Sequence, residues 1–249
     1  MQLLSEREAD PLDSARGHAT RQATERLREL ILDGGLAPGS RISERMVQER
    51  YGISRTPLRE ALKILSVEGL VAIYPNRGAV VALLSLEELQ AAFELLAALD
   101  GAAGELAADR ASDATIAEIA ALHDEMVRHY EARQLQDYFR VNKAIHLAIV
   151  DAAANPAISR VYRSESARVD RYRYRGNRDP GVWARSIRQH EQILDALRMR
   201  HGALLRETLV SHRRSGFDLA RRVLDEDLAH MPNQAVVPVN EPAPGAGRD

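Results

Sequence analysis

Cysteine is missing from all 249 residues, which rules out disulfide frameworks, thiolate metal sites and cysteine nucleophiles together. Any metal bound here must use His, Asp, Glu or Asn donors. No apolar run follows a positively charged N-terminus and none reaches the length that spans a bilayer, so a soluble, cytoplasmic protein without membrane partners is expected. Net charge is also nearly absent, at −2. That excludes a globally basic nucleic-acid coat and requires any DNA contact to come from a local basic surface. What the chain does have is 45% hydrophobic residues over a length that suits two ordinary domains.

The pattern along the chain changes once. Residues 1–18 are polar without sustained periodicity and 231–249 are rich in Pro, Gly and Asn, so both ends are expected as disordered tails. Residues 19–82 mix short helices with a small β signal, whereas 85–228 read as helix throughout. The boundary near 82–85 is sharpened by Ser85-Leu86-Glu87-Glu88, where the Ser85 hydroxyl can accept from the residue-88 amide while Glu88 reaches back.

In the first segment Ala23, Leu27, Leu30 and Ile31 make one apolar face, ended by Gly34-Gly35 and Pro38-Gly39. Ser43 caps a second short helix to about Tyr51. Gly52 permits a tight turn, and a third helix follows with Leu58, Ala61, Leu62 and Leu65 inward. Two β-leaning runs, Val71 to Tyr74 and Ala79 to Ala82, are joined by Pro75-Asn76-Arg77-Gly78, a loop of hairpin length. The fold class is therefore mainly α: an N-terminal winged helix-turn-helix, then an all-α antiparallel helical bundle.

With the leucines of the third helix buried, Ser54, Arg55, Thr56 and Arg59 crowd its first turn and outer side, where amide donors and the helix dipole favour phosphate and arginine can fork onto guanine. Residues 19–82 hold ten Lys and Arg against seven Asp and Glu, a local excess of +3 that leaves −5 for the remainder. Arg45 on the second helix suits the DNA backbone, and Arg77 at the wing tip suits the adjacent minor groove. Charge alone leaves open an ordinary solvated face on a protein-docking module. The run RISERMVQERYGISRTPLREALKILSVEGLVAIYPNRGAVV, with S-R-T-P-L-R-E-A-L as its most specific part, resembles the reader domain of GntR-family regulators. The resemblance implies DNA contacts from Arg45, Arg55, Thr56 and Arg59, with Asn76, Arg77 and Gly78 contributing from the wing.

From 85 onward six helices are expected, roughly 85–110, 113–132, 135–153, 157–175, 182–199 and 203–226. Asn142 and His146 lie one turn apart on one face of the third of these. His190 and His212 sit about equally far before and after the turn near residue 201, so an antiparallel hairpin brings them to one height. Three imidazoles and one oxygen donor suit zinc, with nickel or manganese as alternatives. The plain alternative is that these histidines are solvated or hydrogen-bonded, as His18, His123, His129, His201 and His230 are expected to be. Trp183, just before the fifth helix, is assigned no function.

The stretches N-K-A-I-H-L with A-N-P, H-E-Q-I-L-D-A-L and S-H are similar to the FCD ligand-sensing domain of the FadR branch, in its six-helix VanR-like form. The resemblance implies a divalent metal at Asn142, His146, His190 and His212, a small organic-acid effector, a homodimer and a palindromic double-stranded operator, with repression the expected mode. Two departures stand out: Asn142 takes the place of the usual Asp, and Leu96 occupies the place of an arginine one turn before Asp100. Among the arginines of the fourth bundle helix, Arg168, Arg171 and Arg175 are the candidates for binding the acid. Two rival readings remain. One is a metal-dependent hydrolase fused to a DNA-binding module, although His190-Glu191 lacks the second histidine of a zinc-protease helix because residue 194 is Leu. The other is a second domain that only dimerises.

Overall fold

The computed structural model describes residues 11–75, 78–177 and 180–229. The chain divides into two compact units, Met1–Leu83 and Leu84–Asp249. In the first, α1 (Pro11–Leu32), β1 (Arg41–Ile42), α2 (Glu44–Tyr51), α3 (Arg55–Val67), β2 (Val71–Tyr74) and β3 (Gly78–Val81) follow in order. The expected tail over residues 1–18 is corrected in part, since α1 already begins at Pro11. Proline fits the first helical position because its missing N–H has no intrahelical partner there. The remainder of that tail and residues 231–249 lie outside the described residues.

Ser43 caps α2 by accepting from the Met46 amide, and Gly52 ends the helix at φ 69°, a left-handed conformation that glycine adopts without strain. The turn is therefore tight enough to set α3 against α1, where Leu27, Ile31, Leu58, Leu62 and Leu65 form one core with Val47, Leu70, Val71 and Val81. A strand that sequence patterning does not reveal, β1, pairs antiparallel with β3, which also pairs with β2. Two residues are too few to show alternation, so only its pairing identifies it.

Among the described residues the second unit comprises six helices: α4 (Leu86–Arg110), α5 (Asp113–Glu131), α6 (Leu135–Ala152), α7 (Pro156–Gly176), α8 (Pro180–Arg198) and α9 (Gly202–Ala229). Both bonds of the Ser85–Glu88 capping box form. Asn155 caps α7 with Pro156 next, so the start signals lie in the sequence itself. Trp183 belongs inside α8, where it is buried and stacked on Tyr138 with ring centroids 4.8 Å apart. Gly101 and Gly104 let α4 lie close along α9, against Leu205, Arg206, Leu209 and Val210.

Candidate DNA-reading face and histidine centre

The amphipathic pattern of α3 buries Leu58, Ala61, Leu62 and Leu65 and so turns Ser54, Arg55, Thr56 and Arg59 to solvent. Ser54 caps α3 without a side-chain hydrogen bond, which leaves its hydroxyl available. Arg45 is 86% exposed, 3.9 Å from Glu49. Arg59 is engaged: its Nε donates to both carboxylate oxygens of Glu44, at 3.1 and 3.3 Å. Gly78 opens β3 at φ 79°. Asn76 and Arg77, the expected wing tip, lie outside the described residues.

In the helical unit α6, α8 and α9 each deliver one histidine to a common point. The Nε2 atoms of His146 and His212 are 3.2 Å apart, and the rings of His190 and His212 are centred 4.8 Å apart. One ligand nitrogen from each of the three lies within 4.8 Å of the others. Nitrogens held 2.0–2.1 Å from a tetrahedral zinc lie about 3.3–3.4 Å from one another. The His146–His212 spacing thus already matches a shared ion, and the donor chemistry fits zinc. Burial, then the charge of Arg213, holds His146 well below its ordinary pKa; burial, then His190, does the same for His212. Burial, then His123, pushes His190 down to about 3. All three are therefore neutral near pH 7, the state a metal requires.

Asn142 is brought beside the triad, but the side it presents differs from the expectation. Its Nδ2 lies 3.3 Å from His190 Nε2, while its Oδ1 accepts from Arg173 at 3.1 Å. In this arrangement its oxygen serves the arginine and would reach a metal only after the amide turned over. The second bond of each imidazole differs too. His212 Nδ1 pairs with Gln189 Oε1 at 2.9 Å, whereas His146 Nδ1 and His190 Nδ1 have no protein partner. His123 corrects the reading of it as solvated or hydrogen-bonded: it is buried, and its Nε2 has no partner either. On α5 it stands one turn before Met126, so the apolar face of that helix carries it inward.

The arginines of α7 require a further correction. Arg168, Arg171 and Arg175 form one stripe, but it faces away from the histidines. Arg171 and Arg175 both pair with Asp227 of α9, and Arg168 pairs with Glu165 and Glu88. The opposite stripe carries Asp170 and Arg173, and Arg173 is the one that reaches the centre. A helix places residues two apart on opposing faces, which counting arginines does not reveal. Burial, then the nearby Arg213, lowers the pKa of Arg173, while Asp170, 3.7 Å away, is shared with Lys143 at 2.5 Å. Arg173 is thus a buried cation short of counter-charge. Arg213, also missed, is fully matched: its Nε donates to Asp100 at 2.6 Å and its Nη2 to the Tyr162 hydroxyl at 2.5 Å. Leu96 is buried in the core, and the guanidinium that meets Asp100 comes from α9 instead of α4.

Asn142, Arg173, Ser186, Gln189, His212 and Ser215 border a cavity of about 50 Å³. A more open groove of about 880 Å³ runs along α4 and α9. It is larger, but His212, Asn142 and the undercompensated Arg173 line the small one, and chemistry outweighs volume here.

Comparison with known proteins agrees with both halves. Residues 19–81 match the model described as bacterial regulatory proteins, gntR family, and residues 91–215 match the FCD domain. The chain is 30% identical, over 86% of its length and 90% of the other protein, to an HTH-type transcriptional regulator in an unstable DNA locus of Streptomyces ambofaciens. It is 27% identical to the HTH-type transcriptional repressor RspR of Escherichia coli, over 81% of this chain and 88% of that one. Among solved structures, E. coli McbR/YncC shares the fold, with TM-score 0.69 and 21% identity over 82% of this chain and 98% of that chain.

Proposed function

The chain belongs to the GntR family of bacterial regulatory proteins, with an FCD domain behind its reader, and from that premise we propose that it is a metal-containing, metabolite-responsive repressor. It is a DNA-binding transcription regulator and not an enzyme, so the hydrolase reading is set aside. Repression is taken from the similarity to RspR, which is named as a repressor. Two readers acting as a homodimer match a palindromic operator, since one helix-turn-helix covers a half-site. Arg45, Ser54, Arg55, Thr56, Arg59, Asn76, Arg77 and Gly78 are assigned to that contact.

The observation that carries the sensing half is the convergence of three neutral imidazoles on a buried arginine that lacks full counter-charge. His146, His190 and His212 would hold a divalent ion, with Asn142 as a fourth donor; zinc suits the donors, and nickel and manganese are the alternatives. When bound, the ion supplies a positive point for a carboxylate. Asn142 brings no charge where a carboxylate ligand would, so the centre keeps a positive balance that favours an acid. Arg173 orients that acid through its guanidinium. A cavity of about 50 Å³ holds an ion or a few waters but no metabolite, so an effector must displace side chains, and displacement is how a ligand favours one conformation over another.

Protein purified without an affinity tag or chelator is expected to carry near-stoichiometric metal by elemental analysis, and the His190→Ala, His212→Ala double variant to carry none. Small carboxylates should raise the melting temperature of the wild type and not of the variant. Metal-free wild type that no carboxylate stabilises would leave the helical unit as a dimerisation domain only.

A further inference from the structure

The positive excess of the reader can be resolved residue by residue. Glu25 and Glu68 meet Arg28, Glu29 meets Arg26, Glu44 meets Arg59, Glu49 meets Arg45 and Glu60 meets Lys63. Among the reader side chains described from residue 17 onward, four arginines have no acidic partner: Arg21, Arg41, Arg50 and Arg55. Arg50 lies over the Tyr51 ring, and Arg55 opens α3 on the surface already assigned. Arg41 is different, because a strand fixes it.

Ile42 is buried in the reader core and Arg41 is exposed, so alternation along β1 places Arg41 on the outer face. Pairing with Val80 holds the strand against β3. A Cβ built on Gly78 would stand 3.6 Å from both Nε and Nη2 of Arg41, so the guanidinium lies beside the base of the wing. With Ser43, Glu44 and Gly78 it borders a cleft of about 410 Å³. Glu44 is neutralised by Arg59, which leaves Arg41 as the uncompensated charge of that cleft.

We propose that Arg41 is a phosphate-binding residue of the reader, gripping the DNA backbone where it passes between the wing and the start of α2. The inference rests on the DNA-binding reading of this family. A guanidinium on a paired strand next to a wing is poised to fix register, and a bond to phosphate adds affinity without base preference. It also adds to the number of counterions released on binding.

The test is binding of the full-length chain to a 5′-labelled duplex of mixed sequence, about 30 bp long to span a dimeric site, followed by fluorescence anisotropy across a KCl series. Wild type is compared with Arg41→Gln, Arg41→Lys and Arg55→Ala. Each Arg41 in the complex should contribute about 0.9 to the slope of log affinity against log salt, so the wild-type advantage over Arg41→Gln shrinks about 3.5-fold between 50 and 200 mM for each phosphate that the glutamine leaves unneutralised. Arg41→Lys keeps the charge and should keep the slope. Superimposable curves for wild type and Arg41→Gln, with Arg55→Ala still weakened, would overturn the assignment. So would equal slopes for the Gln and Lys variants. A wild type that binds no duplex at any salt would remove the DNA-binding reading itself, and the inference with it.

Discussion

Arg59 shows how much one side chain's partner changes what its removal means. In the free protein its guanidinium neutralises Glu44 at the start of α2. Arg59→Ala therefore removes a cation and also leaves a carboxylate facing the phosphates. The variant is expected to lose about 1–3 kcal/mol of operator affinity, and Glu44→Gln added to it should recover a measurable part. Anisotropy titrations of the single and double variants decide this, and a double variant no better than the single would mean that Glu44 does not face the DNA. Arg173 teaches the converse. It is one arginine among several on α7, and its bond to Asn142 Oδ1 is what ties it to the histidine centre, whereas Arg171 and Arg175 share Asp227.

At the scale of elements, the helical unit depends on how closely α4 and α9 approach. A methyl group on Gly104 would come within 2.7 Å of Leu209 Cδ1 and 3.2 Å of Leu205 Cγ. Both leucines are buried, so neither can retreat freely. The overpacking costs about 1–3 kcal/mol, against which the better helix propensity of alanine returns up to about 1 kcal/mol. Gly104→Ala should therefore lower stability by on the order of 1 kcal/mol. Gly101→Ala, whose Cβ meets nothing closer than 3.2 Å, should cost less. Urea melts of the two variants give the order, and a Gly101→Ala more damaging than Gly104→Ala would refute this account of the packing. The elements themselves were largely legible: capping residues and breaks at Ser43, Gly52, Ser85 and Asn155-Pro156 are local signals, read by the backbone within one turn. β1 was not, because a two-residue strand exists only through its partner.

For the whole molecule, the two units keep separate cores, and the buried histidines all belong to the second. His146 and His212 are held well below 6.5, and His190 near 3, by burial first. Their unfolded counterparts take up protons near pH 6.5, so between that pH and the lower folded values the unfolded chain binds protons that the folded unit refuses. Stability is accordingly full above about pH 6.5 and falls on acidification, by up to about 1.4 kcal/mol per pH unit for each histidine. Calorimetry of metal-free protein should show the helical transition moving down between about pH 7 and 5.5 more steeply than the reader transition, and His190→Gln should flatten it. Parallel shifts of both transitions would contradict the assignment of the acid sensitivity to these side chains.

Sequence by itself determined the order of domains, nearly every helix, the inward face of α3 and the meeting of His190 with His212. Those follow from periodicity, end signals and the geometry of a single hairpin, all of which act over short stretches of chain. Only the tertiary structure decided which arginine reaches the histidine centre, that Asn142 turns its oxygen to Arg173, that His123 is buried with its Nε2 unpaired, and that Arg213 supplies the guanidinium for Asp100. Each of these depends on which face of one helix meets which face of another far along the chain, and on which charge finds its counter-ion first. Electrostatic pairing in a buried interior is settled by proximity in space, and proximity between α4, α6, α7 and α9 is not written in the spacing of any one of them.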